Sequence, residues 1–260
     1  MKKQLLLICI FLSSVIVVNA QFELNAFGIA QNTIIRNTEL DENVLQNKFT
    51  LSSSAGLRGM YFTKGGFGFG GCVMYTAHNQ KFIANNPAAD TTIYKGKRRL
   101  DYIRIAALAA YKVTMNDQFS WHVFGGPQIA LLIKGDGAIP VYTYDHNTNY
   151  FYFDVPVATS KYYNPYAIEV VGGIGFDYLF NRNLGINAGF RVDYGMTGIE
   201  NKSYYNKMVY DSRNADNQVE KVALTTVGIY YGLTYKFGST HLSAPSQKFG
   251  KKKSFSKGRR

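Results

Sequence analysis

Cysteine is nearly absent. The 260 residues hold two, Cys9 and Cys72, and Cys9 falls in an N-terminal leader, so Cys72 has no intrachain partner and a disulfide scaffold is excluded. Long apolar runs are missing as well: a polytopic helical membrane protein needs repeated stretches of about 20 apolar residues, and beyond the extreme N-terminus there are none. His78, His122, His146 and His241 lie scattered, without the short spacing of a zinc site, so no metal is expected. Acids are outnumbered, 17 against 29 basic residues for a net charge of +12, yet the imbalance is terminal. Two basic residues fall in the leader and seven in the last thirteen positions, which leaves twenty against seventeen in the body. No basic folded face for nucleic acid is expected. The chain is rich instead in Tyr (20), Phe (18) and Gly (25), a makeup far from disordered or collagen-like chains and favourable to β-structure.

Met1-Lys2-Lys3, an apolar stretch over 5–18 and the ending Val18-Asn19-Ala20 form a secretory signal, with cleavage expected before Gln21. The apolar run is too short to span a bilayer. Cys9 lies inside it without small residues before it, which argues against a lipoprotein attachment site.

Period-two alternation dominates the rest, the mark of strands with one apolar and one polar face. From Leu184 the even positions (Leu184, Ile186, Ala188, Phe190, Val192, Tyr194) are oily, and the odd ones (Gly185, Asn187, Gly189, Arg191, Asp193) are small or charged. The same division runs through 223–237, 166–180, 119–133, 99–113, 67–75 and 49–62, and is weakest over 22–30, which makes eight strands. Short turns rich in Gly, Asn, Asp and Lys follow the second, fourth and sixth segments, at 63–66, 114–117 and 181–183. Long polar loops follow the others, at about 31–48, 77–98, 134–162 and 197–221. An even strand number with alternating tight and long connections is the layout of a transmembrane β-barrel. Tyr61, Phe67, Tyr111, Phe119, Trp121, Tyr178, Phe180, Tyr235 and Phe237 sit beside the short turns, where an interfacial girdle belongs.

The competing fold is a soluble eight-stranded barrel with an apolar interior. Arg58, Arg104, Lys112, Glu169, Asp177, Arg191, Asp193 and Lys236 all fall on the polar face, and an apolar ligand cavity could not hold eight charges without a large desolvation penalty. The charges therefore face the lumen and the oily face meets lipid. Eight strands leave room only for side chains, so these groups should pair with one another, with inward glycines making space for the Arg and Lys side chains, and an open pore is not expected.

On these residues, with the leader ending Asn19-Ala20-Gln21-Phe22 and the closing Gly232-Leu233-Thr234-Tyr235-Lys236-Phe237, the chain resembles the small eight-stranded outer-membrane barrels. They include the type of outer membrane protein X and the membrane domain of outer membrane protein A, and the resemblance is closest to the outer-membrane β-barrel domain proteins of Bacteroidetes-type bacteria. It covers residues 21–237 and implies an all-β, antiparallel, up-and-down barrel in the bacterial outer membrane, without carrying an enzyme motif. The family's last strand usually ends the chain on an aromatic residue, whereas here 23 residues follow Phe237.

Ser120 and His122 share a face, as a Ser-His pair requires, but lie inward near a periplasmic turn with no carboxylate in their strand to orient the imidazole, so they read as lumen filling and no catalytic residue is expected. Gly66-Phe67-Gly68-Phe69-Gly70-Gly71 matches the dinucleotide pattern formally, yet no helix follows and alternating Gly and Phe on a strand explains it, so no cofactor is expected. Residues 141–145 and 150–154 read as a hairpin extending beyond the membrane. Its Tyr142, Tyr144, Tyr150, Phe151, Tyr152 and Phe153 suit recognition of an external protein or glycan; the alternative is that they simply pack on one another or on the outer girdle. The tail, 238–260, carries Lys248, Lys251, Lys252, Lys253, Lys257, Arg259 and Arg260 without an acid. It is expected to be disordered, either docking on an anionic periplasmic partner, cell-wall polymer or protein, or simply solvated. The organisation expected is a signal peptide (1–20), a barrel (21–237) and this tail, with a structural or interaction role. An accessory subunit of an envelope secretion or assembly machine, and an enzyme acting on lipid A or acyl chains, are the alternatives.

Overall fold

A computed structural model describes residues 21–36, 45–86, 91–138, 141–145, 150–154, 157–158, 160–201 and 223–237. The expected signal peptide, most of the loop expected over 197–221 and the basic tail with its seven cations lie outside the described residues.

Twelve strands are described: β1 (Gln21–Arg36), β2 (Leu45–Lys48), β3 (Leu51–Phe62), β4 (Phe67–Asn86), β5 (Thr91–Thr114), β6 (Phe119–Ala138), β7 (Val141–Asp145), β8 (Tyr150–Asp154), β9 (Val157–Ala158), β10 (Tyr166–Leu179), β11 (Leu184–Gly195) and β12 (Ala223–Phe237). Eight of them, β1, β3, β4, β5, β6, β10, β11 and β12, pair antiparallel in chain order, and β12 returns to β1 to close the cylinder. Closure leaves no unpaired edge, which a structure in hydrocarbon requires because no water is there to satisfy backbone N–H and C=O groups. Phe22 lies opposite Phe237 and Gln21 opposite Phe62, so the first and last strands meet at the short-turn end.

Sequence chemistry sets the turns. In the first, Gly66 adopts φ +85°, where a Cβ would strike the Lys112 carbonyl, and the Thr63 N–H donates to the Phe67 carbonyl at 2.7 Å. In the other two an Asn side chain caps the loop: Asn116 Oδ1 accepts from the N–H of Gln118 and Phe119, and Asn181 Oδ1 from Asn183 and Leu184. Beside these turns the outward rings pair: Phe67 with Tyr111 at 5.0 Å between centroids, Tyr61 with Phe69 at 5.4 Å, Tyr235 with Phe237 at 4.7 Å.

Burial alternates strictly along β11, and the outward Leu184, Ile186, Phe190, Val192 and Tyr194 are all exposed while Asn187, Arg191 and Asp193 are buried. The greasy surface is outside and the ionised groups are inside. The wall β4–β5–β6 is taller than the rest, since β5 has 24 residues where a tilted membrane strand needs about 9–11. Stretches expected to be loops over 31–48, 77–98 and 134–162 are in part paired strand: β1 runs to Arg36, β2 pairs with β4, and β4 and β5 stay paired to Asn86 and Thr91, with a shift of register between Ala84 and Asn85. On these extensions the exposed outward positions are polar (Lys81, Lys95, Lys97) and the buried inward ones mix polar and apolar (Gln80, Phe82, Arg98, Leu100), so the hydropathy contrast disappears while the backbone pairing continues. The hairpin expected over 141–154 forms a separate two-stranded sheet, β7 with β8, with Tyr142 opposite Phe153 and Tyr144 opposite Phe151. The side chains of its six aromatics lie outside the described residues.

Candidate functional site

Among the described residues, titratable side chains from every wall converge in the lumen, which they fill from the short-turn end upward. Nearest the short turns, Glu23 of β1 faces Lys236 of β12 across the strand pair that closes the barrel. Lys112 reaches across from β5 and holds both Glu23 (2.6 Å) and Asp177 (2.7 Å), while Lys236 lies 3.4 Å from Glu23. Asn187 donates to Asn25 and to Thr234 (3.0 Å), tying β11, β1 and β12 on the same level.

Packed among these groups, Phe27, Met60, Met74, Leu108, Phe124, Val171 and Tyr230 form one apolar cluster that runs from Met60, opposite Glu23, to Met74, opposite Arg104. The Arg58 guanidinium lies in it, 5.0 Å from the Phe124 ring centroid and 5.4 Å from that of Tyr230. The glycines opposite accommodate these bulky side chains. A Cβ at Gly175 would overlap the Tyr230 hydroxyl, one at Gly173 the Phe124 ring, one at Gly68 the Phe62 ring and one at Gly56 Met74. The expectation that inward glycines make space for the Arg and Lys side chains is thus corrected: at these four positions the space is taken by Tyr230, Phe124, Phe62 and Met74.

The middle storey is a two-by-two ion cluster. Arg104 holds Glu169 (2.8 Å) and Asp193 (3.3 Å), and Arg191 lies against Asp193 (2.9 Å). Gln128 knits them together, accepting from Arg191 at 2.6 Å and donating to Glu169 at 2.5 Å and Asp193 at 3.1 Å, while the Thr226 hydroxyl donates to Asp193 at 2.9 Å. Arg104 is fully buried. With equal charge of each sign and nearly every donor matched, the cluster escapes the penalty of an unpaired buried ion. Higher still, the Thr33 hydroxyl and His78 Nδ1 lie 2.9 Å apart, and Arg98 pairs with Glu200 at 3.3 Å beneath a cap of Tyr162, Tyr163, Ile199 and Leu224.

All eight charges assigned to the inner face from sequence are buried there. Seven of them form ion pairs. Arg58 departs from the expected pairing and rests on rings. Glu23 was missed; its signal, alternation with Phe22 and Leu24, is blurred because Phe27 and Ile29 also face inward on β1. Ser120 and His122 do find a carboxylate, but on the next strand: Asp177, opposite Ser120, lies 3.2 Å from His122 Nδ1 and 3.4 Å from Ser120 Oγ. Serine and imidazole thus share one anion instead of forming a relay, and His122 Nε2 faces the Tyr230 hydroxyl at 3.0 Å. A cavity of ≈ 10 Å³ beside Glu23, Arg58 and His122 has room for about one water. Among the described residues no group of His, Cys, Asp and Glu is placed to hold a metal ion.

A family model described as outer membrane protein beta-barrel domain matches residues 19–200. The chain belongs to this outer-membrane barrel family. The final strand, β12, lies beyond the matched stretch, and its pairing with β1 completes the cylinder. As an outer-membrane barrel the protein resides in the bacterial outer membrane, surrounded by lipid. It is similar to the solved structures of Neisserial surface protein A (12% identity, 83% of this chain and 97% of that chain covered, TM-score 0.44) and of OprG from Pseudomonas aeruginosa (13%, 84% and 96%, 0.41). Outer membrane protein W of E. coli is similar too (13%, 82% and 97%, 0.36). No curated protein matches the chain.

Proposed function

We propose that this barrel is a structural and interaction protein, not an enzyme, whose external extensions contact a protein or glycan outside the cell and whose basic tail tethers it to an anionic periplasmic partner. The observation that carries the reading is the division of labour between interior and exterior. The lumen is filled by buried ion pairs and an apolar cluster, while the β4–β5–β6 wall and the separate β7–β8 sheet extend past the length a membrane strand needs. Chain committed to paired structure beyond the bilayer has no role in spanning it; it supplies area for contact, and a hairpin rich in Tyr and Phe suits that use.

The test is deletion of residues 142–153 in cells carrying the full chain. The shortened barrel is expected to keep its heat-dependent gel shift and to lose surface binding or adhesion; an unchanged surface phenotype ends the proposal. For the tail, a chain ending after Phe237 is expected to assemble normally and to lose salt-sensitive retention on cell-envelope fractions.

A further inference from the structure

The ion pairs of the lumen leave one cation over. In the middle cluster Arg104 and Arg191 are matched by Glu169 and Asp193, and higher up Arg98 is matched by Glu200. Nearest the short turns Lys112 and Lys236 are matched by Glu23 and Asp177. Arg58 is the buried cation that remains, and its Nε has no hydrogen-bond partner. Its neighbours across both ladders, Asn25 on β1 and Cys72 on β4, carry no carboxylate. The rings of Phe124 and Tyr230 attract the guanidinium at 5.0 and 5.4 Å, but they are neutral and do not cancel its charge. In a closed lumen surrounded by hydrocarbon, an uncancelled ion is costly.

The acids of the lumen are committed elsewhere. Glu23 is shared by Lys112 and Lys236, Asp177 by Lys112, Ser120 and His122, and Asp193 by Arg104 and Arg191. Among the described residues no carboxylate lies within ion-pair reach of Arg58. A protonated His122 would only widen the imbalance.

The small cavity of the lumen lies where a counter-ion belongs. Arg58, Asn25, Glu23 and His122 are among its walls, together with the apolar Met60 and Phe124. Asn25 Oδ1 already accepts from Asn187 and Thr234, so the half of this amide left for the cavity is its donor. Glu23 brings a carboxylate to the same wall, with its charge held by the two lysines. At ≈ 10 Å³ the cavity takes one water-sized occupant. That size excludes phosphate, sulfate and organic acids; a halide is a sphere only slightly larger than water, and the flexible Met60 thioether can give the small margin.

We propose that this cavity is a binding site for one small monovalent anion, a halide such as chloride, held between the Arg58 guanidinium and the Asn25 amide. The bound ion neutralises the lumen and links β1 to β3. The site is independent of whatever the external loops and the basic tail bind.

The test uses the full chain refolded in zwitterionic micelles, with its unfolding in urea followed at constant ionic strength. Sodium gluconate, whose anion is too large for the cavity, is replaced stepwise by sodium chloride. An ion bound only by the folded barrel stabilises it by mass action, so chloride is expected to lower the wild-type unfolding constant at least threefold, and sodium bromide to do the same. Arg58→Gln removes the charge that needs an ion and is expected to lose this response. If that variant does not fold by the heat-dependent gel shift, Asn25→Asp serves instead. It sets a carboxylate directly opposite Arg58, keeps the oxygen that Asn187 and Thr234 use, and is expected to lose the response because the protein then supplies its own anion. A wild-type response below threefold overturns the proposal, since the rings alone would then suffice for Arg58. So does an undiminished response in either folded variant, because the ion would then act elsewhere.

Discussion

Arg104, Arg191, Glu169 and Asp193 in the lumen and Lys48, Lys81 and Lys97 on the outer wall are both clusters of charge on neighbouring strands, built on opposite rules. Inside, each cation has an anion within 3.3 Å and Gln128 fills the remaining hydrogen-bond sites. Outside, three cations stand opposite one another without an acid among the described residues. The difference is one of solvent. A buried ion has only the protein to replace its hydration, so complementarity is compulsory. At the rim, water, salt and headgroups supply counter-ions, so like charges can be gathered and kept available.

The strongest way to break this comparison is to remove the shared anion of the inner cluster. Asp193→Ala leaves Arg104 and Arg191 with Glu169 alone, and an uncompensated buried charge of this kind costs about 3–5 kcal/mol. The loss is expected as a lowered urea midpoint of the refolded barrel in micelles. A change no larger than that of an exposed lysine substitution would show the cluster to be solvated. Next, Gly175→Ala forces a methyl group against the Tyr230 hydroxyl and is expected to cost about 1–3 kcal/mol. Tyr230→Phe in the same chain should recover part of it by removing the overlapping oxygen. On the outer wall the sign reverses: Lys81→Gln in zwitterionic micelles is expected to stabilise by about 0.2–1 kcal/mol. The gain should shrink at 0.5 M salt, where screening lengths fall well below about 10 Å. The smallest effect concerns the external cap. Burial raises the Glu200 carboxyl above its ordinary range, with the Arg98 guanidinium pulling it back only in part. The folded barrel therefore holds that proton more tightly than the unfolded chain does, and this site contributes stability as pH falls through the raised value, lost again as pH rises. The difference in unfolding midpoint between wild type and Glu200→Gln is expected to move in that direction between pH 7.5 and 5.

The inner cluster and the outer row were not equally legible. Arg104, Glu169, Arg191 and Asp193 stand at alternate positions among oily neighbours, and that contrast assigns them to one face without any structure. Glu23 escaped because Phe27 and Ile29 share its face, which mixes the pattern on β1. Asp177 as the partner of Ser120 and His122 escaped for another reason, since only the register of β6 against β10 brings them together. The lysine row was hidden in what reads as loops over 31–48 and 77–98: once the outward residues turn polar, hydropathy carries no strand signal although the ladder persists.

The order of residues alone determined the number of membrane strands, which face meets lipid, which end carries the short turns and the compartment expected for the chain, because each follows from the two-residue period of a strand and from the cost of a charge in hydrocarbon. Tertiary structure decided which charges meet, that Arg58 rests on rings, that glycines clear space for Tyr230 and Phe124, and that three lysines share a row. Those depend on the stagger between strands distant in sequence, which closing the cylinder fixes and which no single strand contains.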